Sequence, residues 1–290
     1  MWFKVGIIFI KLLSYVPFFV LYGLSSVLSY ILVKVESVRK VPMRNFFRVF
    51  PMKNDKQLKS ITYKYLTAFI DYFVEFVKFT SFSKEKAMSH CCFSGLDVLE
   101  RLVDKHGMVL CYSGHFVNFE IFTLLPLYTK DIGMCHLYLS APPSKWLDWL
   151  LKERSKYGAI NIPSKSPLKK LLELRSEVKN GTSKYKGYIF GSLSDMDPKH
   201  DDKHSALFLG HRLEVKTGAE KIARKMGMGF CYAHIKREKR GYYKVDFREI
   251  VPDSDSLKDA FAYTDEFVHQ LELNVLEQPE IWMQWGECRF

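Results

Sequence analysis

The chain has 290 residues, 48% of them hydrophobic and 15% aromatic, which is ample core-forming material for one large α/β domain or two small ones. Its 43 Lys and Arg against 32 Asp and Glu give a net charge of +11, so an anionic partner is favoured: nucleic acid, an anionic membrane surface or an acidic protein. Six cysteines (Cys91, Cys92, Cys111, Cys135, Cys231 and Cys288) include no C-x-x-C spacing, which argues for reduced cytoplasmic thiols and against a disulfide framework or a zinc site.

Leu12 to Val33 is a charge-free run of 22 residues, about the length that crosses a bilayer core. It reads as a membrane segment, and Pro17, Gly23 and several serines leave a tilted or interfacial helix as open as a spanning one. It is long for a cleaved signal peptide and no A-x-A-like site follows. Lys34, Arg39, Lys40, Arg44 and Arg48 come directly after it, against Lys4 and Lys11 before it. That asymmetry predicts that the rest of the chain is cytoplasmic, and it places the positive charge at a membrane surface. Residues 57–80 read as a helix that Tyr65, Phe69, Tyr72, Phe73, Phe76 and Phe79 nearly encircle. Such a helix packs on both sides or dips into lipid.

From about residue 94, short apolar runs alternate with longer amphipathic ones, the pattern of strands joined by crossover helices. Expected strands are Met108–Ser113, Met134–Ser140, Ala159–Ile162, Gly187–Leu193, Gly229–Ile235 and Tyr242–Glu249. Expected helices are 118–128, 145–156, 168–180, 215–226 and 255–277. The fold class is therefore α/β, a mixed, mostly parallel sheet flanked by helices, with an N-terminal membrane helix. The chain divides into a membrane segment (1–34), a basic and aromatic helical region associated with the membrane (35–93) and a catalytic domain (94–290).

The segment GHFVNFE, Gly114 to Glu120, sets His115 and Glu120 five positions apart after the apolar run Met108–Tyr112. On one helix the two would point about 140° apart, and on one strand to opposite faces. A strand ending near Ser113, a turn at Gly114 and a helix starting near Asn118 would bring them together. The carboxylate would then fix the imidazole tautomer while the other ring nitrogen takes a proton from a hydroxyl. On spacing alone, a capped helix with an incidental surface histidine explains the pattern equally well.

Several other patterns carry chemistry. Asp195, Asp197, His200, Asp201, Asp202 and His204 fall within ten residues and read either as a solvated acidic loop or, less simply, as a metal site. Thr217–Gly218 open a helix whose N-terminus suits a phosphate, although core packing accounts for the same spacing. Lys236, Arg237, Lys239 and Arg240 form a charge run that reads as a solvated turn or as a docking site for an acidic carrier protein. There is no G-x-S-x-G and no G-x-x-x-x-G-K-[ST], which disfavours an acyl-serine intermediate and nucleotide hydrolysis. The basic residues follow no nucleic-acid reader motif, so nucleic acid is not an expected partner.

GHFVNFE resembles the G-H-F-G-N-W-E motif of the bacterial lipid A late acyltransferases, of the wider lysophospholipid acyltransferase superfamily. Further likenesses follow in order: VRKVPMRNFFRVFP (38–51), LLKERSKYGAINIP (150–163), FGSLSDMDP (190–198), FLGHRLEVKTGAEKIARKMG (208–227) and LELNVLEQPEIWMQW (271–285). Two positions depart: Val117 replaces the usual Gly, and Glu287 stands at a position usually His. The resemblance implies a membrane-bound O-acyltransferase on the cytoplasmic side of the bacterial inner membrane. Its donor would be an acyl carrier protein or coenzyme A thioester, its acceptor a lipid A precursor, and it would need no cofactor or metal. It makes His115 the general base and Glu120 its orienting partner, with Gly114, Asn118, Arg154, Asp195, Thr217 and Gly218 around the substrate. The oxyanion would be met by amides of 114–118 or by Arg154. Other readings are the same chemistry on a lysophospholipid, an aminolipid or a phosphoinositide glycolipid, or a noncatalytic lipid-binding scaffold.

Overall fold

The computed structural model describes residues 2–138, 140–195, 204–253, 259–287 and 290. Helices α1 (Trp2–Tyr15) and α2 (Phe18–Leu32) are separated by Pro17 and bent by 109°. A proline here removes a helical donor and starts the second helix in its own direction. Among the described residues no single helix is long and apolar enough to cross a membrane, and the segment expected as an N-terminal membrane helix, spanning or interfacial, forms this bent pair. Lys78 holds the bend, donating from Nζ to the carbonyls of Ser14 (2.6 Å) and Val16 (2.8 Å), which are the acceptors that a helix end leaves unsatisfied.

The basic helix α3 (Glu36–Val49) leads into α4 (Asp55–Thr80), the aromatic helix, which runs 26 residues. Asn54 and Gln57 form a reciprocal capping box at its start, satisfying two backbone donors. Helix α4 packs on both sides: against α1, α2 and α3, and against the C-terminal 3-10 turns. The short α5 (Lys84–Met88), β1 (Cys91–Ser94) and α6 (Leu96–His106) follow. Strand β1 joins the main sheet at one edge.

Then come β2 (Met108–Ser113), a 3-10 helix (Phe119–Leu127), β3 (Ile132–Tyr138), α7 (Lys145–Arg154), β4 (Ile160–Pro163), α8 (Pro167–Lys179) and β5 (Gly187–Leu193). The rest is β6 (Ser205–Phe208), β7 (His211–Glu214), α9 (Gly218–Met226), β8 (Gly229–Lys239), β9 (Tyr242–Glu249) and α10 (Ala262–Glu277). Seven strands form one sheet in the order β1-β9-β8-β2-β5-β3-β4, parallel except between β8 and β9, while β6 and β7 form a separate two-stranded ladder. All six residues of the central strand β2 are buried, as expected of a parallel strand covered on both faces. The α/β class and mostly parallel sheet are as the alternation of apolar runs predicts.

The charge run 236–240 is not a solvated turn. Arg237 and Arg240 reach Asp71 on α4 at 2.5 Å each, Arg237 also lies 3.7 Å from Glu75, and Lys236 pairs with Glu277. The charges fold inward because Asp71 and Glu75, one helical turn apart and both fully buried, need cationic partners. Ser25 of α2 adds a hydrogen bond to Asp71 at 2.7 Å. Replacing Asp71 with Ala strands both guanidinium groups and should cost about 3–5 kcal/mol of stability, read as a lowered midpoint of chemical denaturation.

Candidate active site

Strands β2 and β5 are parallel neighbours in register, with Ser113 opposite Leu193. The chain therefore leaves both strands at the same edge of the sheet, at the carboxyl ends where open α/β sheets bind ligands. One exit gives Gly114-His115, the other Ser194-Asp195. A Cβ on Gly114 would lie 2.6 Å from Leu271 and 3.0 Å from Asp195 Oδ2, so the turn needs glycine for space.

Asp195 is the carboxylate that serves His115. The His115 Nδ1 lies 2.5 Å from Asp195 Oδ1, and the His115 amide and Trp282 Nε1 donate to Oδ2 at 2.6 and 2.8 Å. Trp282 comes from the C-terminal segment, which also clasps the turn: the Val117 amide donates to the Ile281 carbonyl and the Met283 amide to the His115 carbonyl. Burial disfavours protonated His115, but the Asp195 charge and hydrogen bond outweigh it and hold the imidazole pKa above its ordinary value, helped by Glu287 and opposed by Lys216. Burial likewise pushes Asp195 up, and His115, its amide and Trp282 together hold it below the ordinary carboxylate range. The His115 side chain stays 19% exposed, and among the described residues nothing bonds its Nε2.

The expected pairing of His115 with Glu120 is not what forms. The turn and helix lie where the spacing predicts, but the helix is 3-10, and Glu120 turns to Arg154 on α7. Arg154 Nε donates to both carboxylate oxygens at 3.2 and 3.0 Å and Nη2 to Oε1 at 2.5 Å, and the Tyr72 hydroxyl adds a bond at 3.2 Å. Glu120 is only 7% exposed, and a bidentate guanidinium compensates its burial better than a histidine needed elsewhere. Burial works against the Arg154 charge and Glu120 outweighs it, raising that pKa.

Asn118 caps the 3-10 helix by accepting from the Glu120 amide at 3.0 Å. Of the amides proposed for an oxyanion, those of His115, Phe116 and Val117 are engaged with Asp195, Gly114 and Ile281. Those of Gly114 and Asn118 make no bond among the described residues. Val117 is 1% exposed and packs within the core. Glu287 lies close enough to act on His115.

Thr217 is buried at the start of α9, and a Cβ on Gly218 would meet nothing within 4 Å. The first turn of α9 holds buried Glu220, which accepts from Arg224 and from the Thr264 amide and hydroxyl. That carboxylate is a negative group at the positive end of the helix dipole. Of the acidic cluster, Asp197, His200, Asp201 and Asp202 lie outside the described residues, Asp195 serves His115, and His204 bonds Asp265 at 2.6 Å.

Four residues escaped sequence reasoning: Trp282 as a donor to Asp195, Tyr72 as a donor to Glu120, and Asp71 and Glu75 as buried acids. Only the last pair left a signal, two carboxylates four residues apart in an otherwise aromatic helix.

A histidine fixed by a buried aspartate, with a free nitrogen at the carboxyl edge of the sheet, is the geometry of a general base. The sequence profile of the bacterial lipid A biosynthesis acyltransferase family matches residues 1–287, and the chain belongs to that family. It is an acyltransferase, and the family implies lipid A-like substrates, with an acyl donor and a lipid acceptor. No curated protein matches the chain.

His115 must be neutral to accept a proton, so its raised pKa places the acid limb of the kcat/KM profile above the ordinary imidazole value of 6.5. Asp195→Asn removes the charge that raises it. The limb should move to lower pH while kcat falls about 10²–10⁴-fold, measured by pH–rate profiles of the two proteins.

Proposed function

We propose that the chain is a membrane-bound O-acyltransferase that moves a fatty acyl group from an acyl carrier protein thioester to a hydroxyl of a lipid A precursor. The observation that carries it is His115, with Nδ1 held by buried Asp195 and Nε2 free, in a chain of this family. The acceptor hydroxyl gives its proton to Nε2 as its oxygen attacks the thioester carbonyl. The tetrahedral oxyanion is met by the Gly114 or Asn118 amide, or by Arg154. Collapse breaks the C–S bond, and the imidazolium returns the proton to the departing thiolate. Asp195 takes the orienting role expected of Glu120, and Glu120 aims Arg154. Phe76, Phe79, Ile121, Leu124 and Tyr157 line a cleft of about 30 Å³ beside the Glu120–Arg154 pair, room for about one water molecule, so an acyl chain enters there only when those side chains part.

Membrane attachment is proposed through the outer face of α1 and α2, with the sheet on the cytoplasmic side of the bacterial inner membrane. What supports this is the division of α2: Tyr22, Ser25 and Ser29 face inward, Tyr22 and Ser25 bonding Glu75 and Asp71 on α4, while Phe19, Leu24 and Val27 are 78%, 62% and 60% exposed. Trp2, Phe9 and Leu12 extend that apolar surface on α1. A polar inner face with an apolar outer one suits a helix lying in the interface.

The test is transfer by purified protein from acyl carrier protein and coenzyme A thioesters to a lipid A precursor. His115→Ala should abolish transfer with the denaturation midpoint retained, and near-normal turnover would refute the base assignment. Mass spectrometry of lipids from a deletion strain tests the acceptor: an unchanged lipid A acylation pattern would assign the chemistry to another lipid. Aspartates at Phe19, Leu24 and Val27 should release the protein from sedimenting vesicles of anionic phospholipid.

A further inference from the structure

Glu75 sits in the C-terminal half of α4 with no exposed surface, and three hydrogen-bond donors and one cation converge on it. The Tyr22 hydroxyl of α2 reaches Oε1 at 3.2 Å and Arg237 of β8 approaches that oxygen at 3.7 Å. The Tyr243 hydroxyl of β9 reaches Oε2 at 2.6 Å and Asn118 Nδ2 shares that oxygen at 3.4 Å. A buried carboxylate is costly unless it is satisfied, and here every neighbour donates. Helix α4 does not need Glu75 to hold the β8–β9 hairpin, because Asp71 already receives Arg237 and Arg240. What Glu75 reaches and Asp71 does not is Asn118, at the entrance of the reactive turn.

A side-chain amide can present either its oxygen or its nitrogen, whereas a carboxylate only accepts. Glu75 therefore selects the nitrogen end of fully buried Asn118 and leaves its oxygen for the Glu120 amide. Glu120 in turn aims Arg154. We propose that Glu75 is a positioning residue for acyl transfer: it fixes the orientation of Asn118, and through Asn118 the cap of the 3-10 helix that carries Glu120. The proposal rests on the acyl-transfer reading, and it ties the reactive turn to Tyr22 on the inner face of α2.

The test uses the full-length protein. Glu75→Leu should lower kcat about 10–100-fold, the loss of one hydrogen bond to a charged group, with KM little changed. Tyr243→Phe, which removes the other donor on the same oxygen, should lower stability and leave kcat in place. Asn118→Asp sets a carboxylate against Glu75 and should be as slow as Glu75→Leu. Adding Glu75→Gln should restore most of the rate, because the glutamine amide donates to Asp while Asp still accepts from the Glu120 amide. Hydrogen exchange over 114–122 should quicken in Glu75→Leu with β2 and β5 unaltered. A swap that restores nothing, or exchange over 114–122 equal to wild type, overturns the positioning role. Quickened exchange in Glu75→Leu, alongside a wild-type protein that transfers no acyl group, would instead overturn the function and leave the Glu75–Asn118 contact standing.

Discussion

The parallel pairing of β2 with β5, Ser113 opposite Leu193, is the constraint on which the site depends. It brings two chain exits eighty residues apart in sequence to one point on the edge of the sheet, and it does so with backbone hydrogen bonds between strands buried on both faces. A slip of one residue in that register would turn every side chain of the strand to the other face and separate His115 from Asp195. The turn has little freedom beyond that: Gly114 admits no Cβ, and the C-terminal segment bonds it on both sides of Phe116. The imidazole is thus positioned by the sheet register and the clasp before any substrate arrives, which is the preorganisation that general-base catalysis uses.

Helix α4 is the second organiser, and its chemistry is divided by position along its length. Lys78 near its end fixes the bend between α1 and α2, Asp71 holds the β8–β9 hairpin, Glu75 reaches Tyr243 and Asn118, and Tyr72 reaches the Glu120–Arg154 pair. Tyr65 nearer its start bonds the Met283 carbonyl in the clasp. A helix nearly encircled by aromatics looks like lipid-facing material in sequence. In the fold Tyr65 is buried, most of the other rings are partly covered and Phe73 stays 53% exposed, while the few polar residues among them carry the directional bonds. Arg237 and Arg240 of the hairpin pair there with Asp71 of α4, while Lys236 pairs with Glu277 of α10.

Period and punctuation made the sheet legible. Three strands, Met108–Ser113, Gly187–Leu193 and Tyr242–Glu249, have the boundaries the sequence predicts: the first two are buried parallel strands that read as continuous hydrophobic segments, and the third alternates buried and more exposed residues after the turn at Gly241. Strand β1, four residues long, and the β6–β7 ladder were too short to show a period. The N-terminal segment misled for a related reason: hydropathy sums over length and is blind to the break at Pro17, to the inward serines of α2 and to the distant Lys78 that stabilises the bend. Of the site, the turn and His115 could be read locally. Its partner could not, since a contact across eighty residues leaves no trace in spacing.

That difference explains why the nearer carboxylate was the wrong one. Spacing along the chain measures which groups can meet through local turns, and Glu120 satisfies that measure. What decides the pairing is the demand of each buried charge. Arg154 carries a fixed cation into the site and needs a planar, bidentate acceptor, which Glu120 supplies with both oxygens. His115 needs one acceptor at Nδ1 that can also bind its own amide, and only a side chain arriving from the neighbouring strand end can face both at once. Asp195 does so with Oδ1 and Oδ2, and Trp282 completes its shell. Two carboxylates thus serve two cations, and the exchange of partners would leave the guanidinium without its fork and the imidazole tautomer unfixed. The five-residue spacing of histidine and glutamate is best understood as the spacing of two adjacent halves of a site, one that moves a proton and one that holds a positive charge beside it.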